Sequence, residues 1–160
     1  MQLGKEQRER HMSAAEENKA TARRMVEELF NQGGDLDVAD EIFAPNYVSH
    51  EPAFGDLHGV EAIKQFAATE RQAIPDLQNT VEDQVAEGNK VATRFRGRGT
   101  HTGETEAFGP PTDNSYEVTG ITLQRFNDDG KIVEDWTIFD ALGMMQQLGM
   151  APGPDQPEEV

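Results

Sequence analysis

The chain has 160 residues, no cysteine and a formal net charge of −16. This length predicts one domain, and the lack of cysteine in the sequence excludes disulfides, thiolate nucleophiles and cysteine-bound metals. The acidic charge argues against binding to nucleic acid or to an anionic membrane, because both attract basic surfaces. No apolar run approaches the ~20 residues of a membrane span, and the N-terminus lacks the apolar core of a signal peptide, so we expect a cytoplasmic protein.

The acidic residues are spread along the chain, and only five of the 14 basic residues are lysine. A dispersed acidic surface with few lysines fits an organism with high internal salt, in which charge repulsion is screened. An ordinary acidic bacterial protein is the alternative interpretation.

Both ends of the chain are polar and lack apolar periodicity. We therefore expect flexible tails at 1–15 and 150–160, flanking one domain at 16–149. Ser13 and Glu16 have the spacing of a capping box, which predicts that the first helix begins there. Apolar residues then recur at helical spacing until a pair of glycines ends the helix.

Two further helices and a short strand follow. Asp35 can cap a short second helix that must end near Pro45. Residues 46–50 predict a strand, and a third helix begins near Val60 and ends before Pro75.

The second half of the chain predicts long strands. Polar and apolar residues alternate around 81–98, and further strands are predicted at 116–126 and 131–139, joined by a turn at 127–130. A last short helix is predicted after them. Helices followed by a meander of strands predict an α+β fold with helices on one face of an antiparallel sheet.

The last two strands carry apolar residues on both faces. A sheet that is covered by helices on one side needs only one apolar face. We therefore expect a homodimer that buries the outer sheet face, including Trp136 or Ile138.

Two residues stand out as candidates for chemistry. Counting by twos from Val91 puts His101 on the predicted core face, where it is either a pocket group or a structural histidine. Asp135 alternates with its strand neighbours, but both faces are apolar, so its direction stays open. If it points inward, it is a buried carboxylate with a raised pKa that suits proton abstraction; if outward, it is one more solvated acid.

Other kinds of site are not expected. His50 and His58 are eight residues apart across a predicted loop, without an HExxH motif or clustered carboxylates, so we expect no metal site. No glycine-rich loop joins a strand to a helix, and no Gly-x-Ser-x-Gly motif occurs, so neither a nucleotide site nor a serine-hydrolase triad is predicted. We expect no cofactor.

Several segments in a fixed order carry a family resemblance from about residue 20 to 149: VEELFNQGGDLDVADEIFAPNYVSHEP, HGVEAIKQFAATERQAIPDL, VEDQVAEGNKVATRFRGRGTHTGE, GPPT and VTGITLQRFNDDGKIVEDWTIFDALGMMQQLG. The chain resembles the SnoaL-like polyketide cyclases of the nuclear transport factor 2-like superfamily. The resemblance implies a cone-shaped, barrel-like curved antiparallel sheet with three helices on its concave face, often dimeric through the outer face.

The best-known members of this family close a ring by an intramolecular aldol reaction without a cofactor. In them an Asp on the last strand acts as base near a His on the preceding strand. Alignment puts Thr137 and Thr122 at these positions, and neither can act as a base at neutral pH. The resemblance implies that Thr137 faces the pocket, and so does Asp135 two residues earlier. It also places His101 and His50 at the pocket mouth.

Three functions therefore remain open. The first is a cofactor-free cyclase or isomerase for a small, largely apolar carbonyl compound, in which Asp135 removes a proton and His101 or His50 polarises the enolate. The second is a non-catalytic module that binds a small molecule. The third is a hydrolase of small esters or epoxides, in which Asp135 and His101 activate a water. We expect the pocket to be lined by Tyr47, Phe95, Tyr116, Val118, Thr122, Thr137 and Phe139.

Overall fold

The computed structural model describes residues 2–153, without the side chains of residues 2, 3 and 10–12. The helices are α1 (Gln2–Arg24), which runs on into one π-helical turn (Met25–Leu29), α2 (Val38–Ile42), α3 (Val60–Ala73) and α4 (Ala141–Gln147). The strands are β1 (Phe43–His50), β2 (Leu57–His58), β3 (Gln78–Glu87), β4 (Lys90–Thr100), β5 (Ser115–Phe126) and β6 (Ile132–Phe139). None of the described helices is long and apolar enough to cross a membrane.

All six strands form one sheet in the order β2-β1-β6-β5-β4-β3. The predicted α+β class is confirmed, and the meander β3 to β6 pairs antiparallel as expected. The prediction of an antiparallel sheet is wrong at one point, because β1 pairs with β6 in parallel. The sheet is therefore mixed. A parallel pair needs a long crossover, and here α3 and the other strands lie between the two partners in the chain.

The first helix begins at Gln2, so the prediction that it starts at the Ser13 capping box is wrong. Ser13 lies inside α1 because the preceding residues are largely Glu, Arg, Lys and Gln, which favour a helix. The flexibility of 1–15 stays a prediction, and most of the predicted C-terminal tail lies outside the described residues.

Two clusters of buried side chains form the core. The larger one joins the helices to β1, the end of β5 and the start of β6, and it includes Leu29, Ile42, Ile63 and Phe126. The smaller one lies around the start of β5 and the last helix, where Tyr116, Met144 and Leu148 pack together. The space between the two clusters holds the cavity described below.

Arg71 fixes α3 against the end of the first helix. Its guanidinium donates to the backbone oxygens of Gly34 at 2.7 Å and Glu28 at 2.9 Å, and also to that of Leu29. Glu28 and Leu29 lie in the last helical turn, so their carbonyl groups have no partner inside the helix. A charged donor adds about 1.5–3 kcal/mol per hydrogen bond. The neighbouring residue on α3, Glu70, is thereby held in a fixed position over the sheet.

Candidate active site

A cavity of about 90 Å³ lies between the helices and the concave face of the sheet, and its wall is mainly apolar. The residues predicted from the sequence that form part of this wall are Phe95, Tyr116, Val118, Thr122, Thr137 and Phe139.

An aromatic cluster covers part of the cavity. The ring of Phe54 lies 5.3 Å from that of Phe66 and 6.0 Å from that of Phe139, and both of these residues line the cavity. Phe54 also lies 6.0 Å from Phe108. Such a cover lowers the local dielectric constant and strengthens charge interactions inside.

Two carboxyl groups interrupt the apolar wall, Glu51 just after β1 and Glu70 on α3. One oxygen of Glu51, Oε1, is buried without a hydrogen-bond partner. Among the described residues, no basic side chain lies within ion-pair distance of either glutamate. Burial, together with the charge of Asp135, raises the pKa of Glu51 to about 7. Burial, together with the charge of Glu51, raises the pKa of Glu70 to about 8.

Glu51 continues a polar row across the sheet. Ser49 pairs with Asp135 and His50 with Trp136, so the same register places Glu51 beside Thr137. The Thr137 hydroxyl donates to Thr122 Oγ1 at 3.0 Å on the next strand. One carboxyl group and two hydroxyl groups therefore lie side by side in the cavity wall.

Asp135 points inward but lies outside the cavity wall. Its side chain has no exposed surface. The Tyr47 hydroxyl donates to Oδ2, and the Ser49 hydroxyl donates to Oδ1 at 2.7 Å. Burial raises the pKa of Asp135 to about 6, while these two hydrogen bonds act in the opposite direction. Tyr47, expected in the pocket wall, lies in this buried network instead, because Asp135 binds its hydroxyl group.

His101 is also fully buried but belongs to another part of the fold. Its ring centroid lies 6.1 Å from that of Phe108, its Nδ1 lies 3.4 Å from Thr112 Oγ1, and its Nε2 has no partner among the described groups. It follows Thr100, which pairs with Ser115, whereas Asp135 pairs with Gln124. Nine residues of β5 correspond to about 30 Å of strand. The structure therefore does not bring His101 and Asp135 together.

His50 lies on the outer face of the sheet, so its expected place at the pocket mouth is not where the structure puts it. Its neighbour Ser49 points inward, and successive strand residues face opposite sides. The His50 ring stacks on Trp136, and Nε2 lies 2.8 Å from Glu134 Oε2 while Nδ1 lies 3.3 Å from Asp56 Oδ1. The hydrogen bond with Glu134 is the main cause that raises the pKa of His50.

The sequence prediction missed both cavity glutamates. Each looks like one more surface acid in an acidic chain, and Glu70 lies in a polar stretch of α3. One signal was available for Glu51: Tyr47, Ser49 and Glu51 share one face by strand alternation. Within the part of the chain that the structure describes, no group of three or more potential ligands could hold a metal ion.

The chain matches one protein family over most of its length. The family model for SnoaL-like polyketide cyclases matches residues 20–148. The chain belongs to this family. No curated protein matches it.

Solved structures agree with this assignment. A proposed SnoaL-like polyketide cyclase from Jannaschia sp. CCS1 is 27% identical, with a TM-score of 0.76, covering 87% of this chain and 95% of that one. IdmH from Streptomyces antibioticus, a proposed polyketide cyclase, is 38% identical, with a TM-score of 0.67 and coverage of 82% and 98%. AclR from Streptomyces galilaeus, a proposed hydroxylase, is 27% identical, with a TM-score of 0.72 and coverage of 87% and 89%. Similar folds thus carry different proposed reactions.

Proposed function

We propose that this SnoaL-like protein removes a proton next to a carbonyl group in its cavity, using its own side chains, and so promotes aldol cyclisation or isomerisation of a small, largely apolar carbonyl compound. The observation that carries the proposal is the pair of cavity carboxyl groups without basic partners. Their pKa values of about 7 for Glu51 and about 8 for Glu70 lie near neutral pH.

Glu51 is the proposed base. A general base works best when its pKa is close to the working pH, and an ionised Glu51 is available at neutral pH. This assignment replaces Asp135, which has no surface in the cavity. The hydroxyl groups of Thr122 and Thr137 beside Glu51 supply polar contacts that orient the substrate.

Glu70 is the proposed acid. Its pKa of about 8 keeps it mainly protonated at pH 7, and the negative charge of Glu51 contributes to that value. Ionised Glu51 therefore favours protonated Glu70. A protonated carboxyl group can donate to the oxygen of the developing enolate, and two acids with separated pKa values are a recurring acid–base arrangement.

The hydrolase alternative gains no support, because it needs Asp135 and His101 at one water molecule and they lie about 30 Å apart along β5. A non-catalytic binding module would use the same cavity, and it differs from an enzyme only in what the carboxyl groups do. The experiment below separates these two functions.

The proposal is tested with 2-tetralone, a small, largely apolar ketone whose C1 protons lie between the carbonyl group and the aromatic ring and are therefore activated for removal. Proton NMR in D₂O follows their replacement by deuterium, and chemical-shift changes report binding. We expect the protein to accelerate exchange and Glu51→Gln to reduce the rate by on the order of 10²–10⁴ while binding persists.

Glu61→Gln is the matched control, because Glu61 lies on α3 with its side chain 81% exposed. It should exchange at the parental rate. A parental rate in Glu51→Gln would remove Glu51 as the base. Binding of the ketone without accelerated exchange by the parent would favour a binding module.

We also propose a homodimer through the outer sheet face. Ile121 pairs with Ile138 and Leu123 with Trp136 on β5 and β6. Ile121, Trp136 and Ile138 remain exposed in the monomer. A second copy of the chain is the partner that such a self-complementary strip fits most simply.

A further inference from the structure

The hydrogen bonds to Asp135 connect β6 directly to β1. The acceptor lies on β6, and the two donors, Tyr47 and Ser49, lie on β1. Asp135 has no exposed surface, Tyr47 has none either, and Ser49 is 5% exposed. The network is thus fully packed, and it crosses the parallel pair of strands β1 and β6.

The same network leads to Glu51. Tyr47, Ser49 and Glu51 alternate along β1 and its extension, so all three side chains face inward. Asp135 holds the first two, and Glu51 is the next inward residue. Fixing Tyr47 and Ser49 therefore fixes the backbone that directs the Glu51 carboxyl group into the cavity.

Asp135 also acts on Glu51 by its charge. Both of its hydrogen-bond partners are donors, which favours the ionised form, and no basic side chain lies within ion-pair distance of it among the described residues. Burial is the main cause that raises the pKa of Glu51, and the negative charge of Asp135 raises it further. Other charged groups act on the pair as well: Glu70 faces Glu51 from α3, and His50 and Glu134 act on Asp135 from the outer face.

We propose that Asp135 is a positioning residue: through Tyr47 and Ser49 it fixes the direction of the Glu51 carboxyl group, and it holds a negative charge behind that group. The inference rests on the proposed role of Glu51 as base. It assigns Asp135 no contact with the substrate.

A direct titration tests the inference without any substrate. The protein is labelled with ¹³C at the glutamate side-chain carboxyl carbon, and the Glu51 signal is assigned by its loss in Glu51→Gln. In Asp135→Asn the repulsion disappears, the ionised form of Glu51 becomes easier to reach, and the midpoint should fall by about one pH unit.

Glu134→Gln is the matched control. It removes one negative charge from the adjacent residue of β6, but on the outer face, where Glu134 bonds to His50 and Arg125. The Glu51 midpoint should stay at the parental value. A purely structural role for Asp135 would lower stability without moving this midpoint.

The pH dependence of the exchange rate should shift in the same direction as the titration midpoint of Glu51. In the exchange of 2-tetralone, the rate rises with pH as the base ionises, so the acid limb should shift to lower pH in Asp135→Asn by the same amount. If Asp135→Asn does not fold, Tyr47→Phe takes its place: losing one donor makes Asp135 harder to ionise, so the Glu51 midpoint should fall by a smaller amount.

The positioning role of Asp135 and the proposed function of the cavity can be refuted independently of each other. An unchanged Glu51 midpoint in the folded variant, Asp135→Asn or else Tyr47→Phe, overturns the positioning role of Asp135. Parental exchange by Glu51→Gln overturns the proposed function, whatever the titration shows. A lowered midpoint in Asp135→Asn, with Glu134→Gln unchanged, supports the inference.

Discussion

Glu70 links the cavity to the stability of the fold. Folded protein keeps the Glu70 proton up to about pH 8, whereas the unfolded chain releases it near the usual pKa of ~4.3. The folded state therefore binds more protons between these values. The stability that this group contributes is fully present below the unfolded pKa and is lost as pH rises through the folded one.

Replacing Glu70 by Gln removes this dependence. We expect Glu70→Gln to raise the free energy of unfolding at pH 8 by about 1 kcal/mol or more, and by less at pH 5. Urea denaturation of both proteins at the two pH values measures the difference. Glu61→Gln controls for the loss of one negative charge and should show no such contrast. Equal stability of Glu70→Gln and the parent at pH 8 would contradict the prediction.

For single residues, the face of the sheet toward which a side chain points was easier to predict than the groups that surround it. The inward direction of Asp135 followed from its place two residues before Thr137. Its partners Tyr47 and Ser49 could not be predicted, because they lie 88 and 86 residues away in the chain. Glu51 and Glu70 were missed because nothing in the sequence marks a carboxyl group as buried until the fold places it.

Among the elements, β5 and β6 determine the proposed dimer. Ile138 is 68% exposed on the outer face. A specific dimer buries at least ~1,000 Å², so a charge at Ile138 would be placed in the interface without a partner. We expect Ile138→Glu to be monomeric and the parent dimeric at micromolar concentration, as measured by light scattering.

Leu142→Glu is the control for this change. Leu142 is 63% exposed, but it lies on α4 instead of the sheet. This variant should remain a dimer. A monomeric parent protein would contradict the proposed interface outright.

The last two strands were predictable because a clear turn signal at 127–130 separates two runs rich in apolar residues. The predicted strands 116–126 and 131–139 nearly coincide with β5 and β6. β1 is as long as β6 but was predicted only as 46–50, whereas it begins at Phe43, because the second helix was expected to continue to about Pro45. The pairing of β1 with β6 could not be inferred, because the alternation of residues along a strand shows which side chains share a face but not which strand lies beside it.

At the scale of the whole molecule, charge dominates. The net charge is −16 in 160 residues, and this self-repulsion destabilises the compact state more than the unfolded one. Salt screens it, so the melting temperature should rise from low to molar sodium chloride, as followed by circular dichroism. Chloride is preferable to sulfate, which stabilises most proteins by exclusion. A flat or falling curve would remove the high-salt interpretation.

The fold and much of the cavity wall could be predicted from the sequence, whereas the two carboxyl groups in that wall could not. The order of helices and strands predicted the α+β class, and the family resemblance is confirmed over residues 20–148. The cavity draws on residues from the first helix to α4. Which of these residues come into contact depends on the curvature of the sheet and on how the helices pack. Neither can be predicted from the local periodicity of the sequence.

The parallel pairing of β1 with β6 also determines when the site can form. During synthesis β1 emerges early, and until β6 follows, its described partner is only the two-residue strand β2. Its other edge stays open, and an open edge invites pairing with other chains. The hydroxyl groups of Ser49 and Tyr47 have no Asp135 acceptor until more than 80 further residues have been translated. Such long-range pairing is slow to form, so the Glu51 carboxyl group reaches its final position only in the last stage of folding. A nascent chain that stalls before β6 lacks both Asp135 and the cavity wall that β6 supplies.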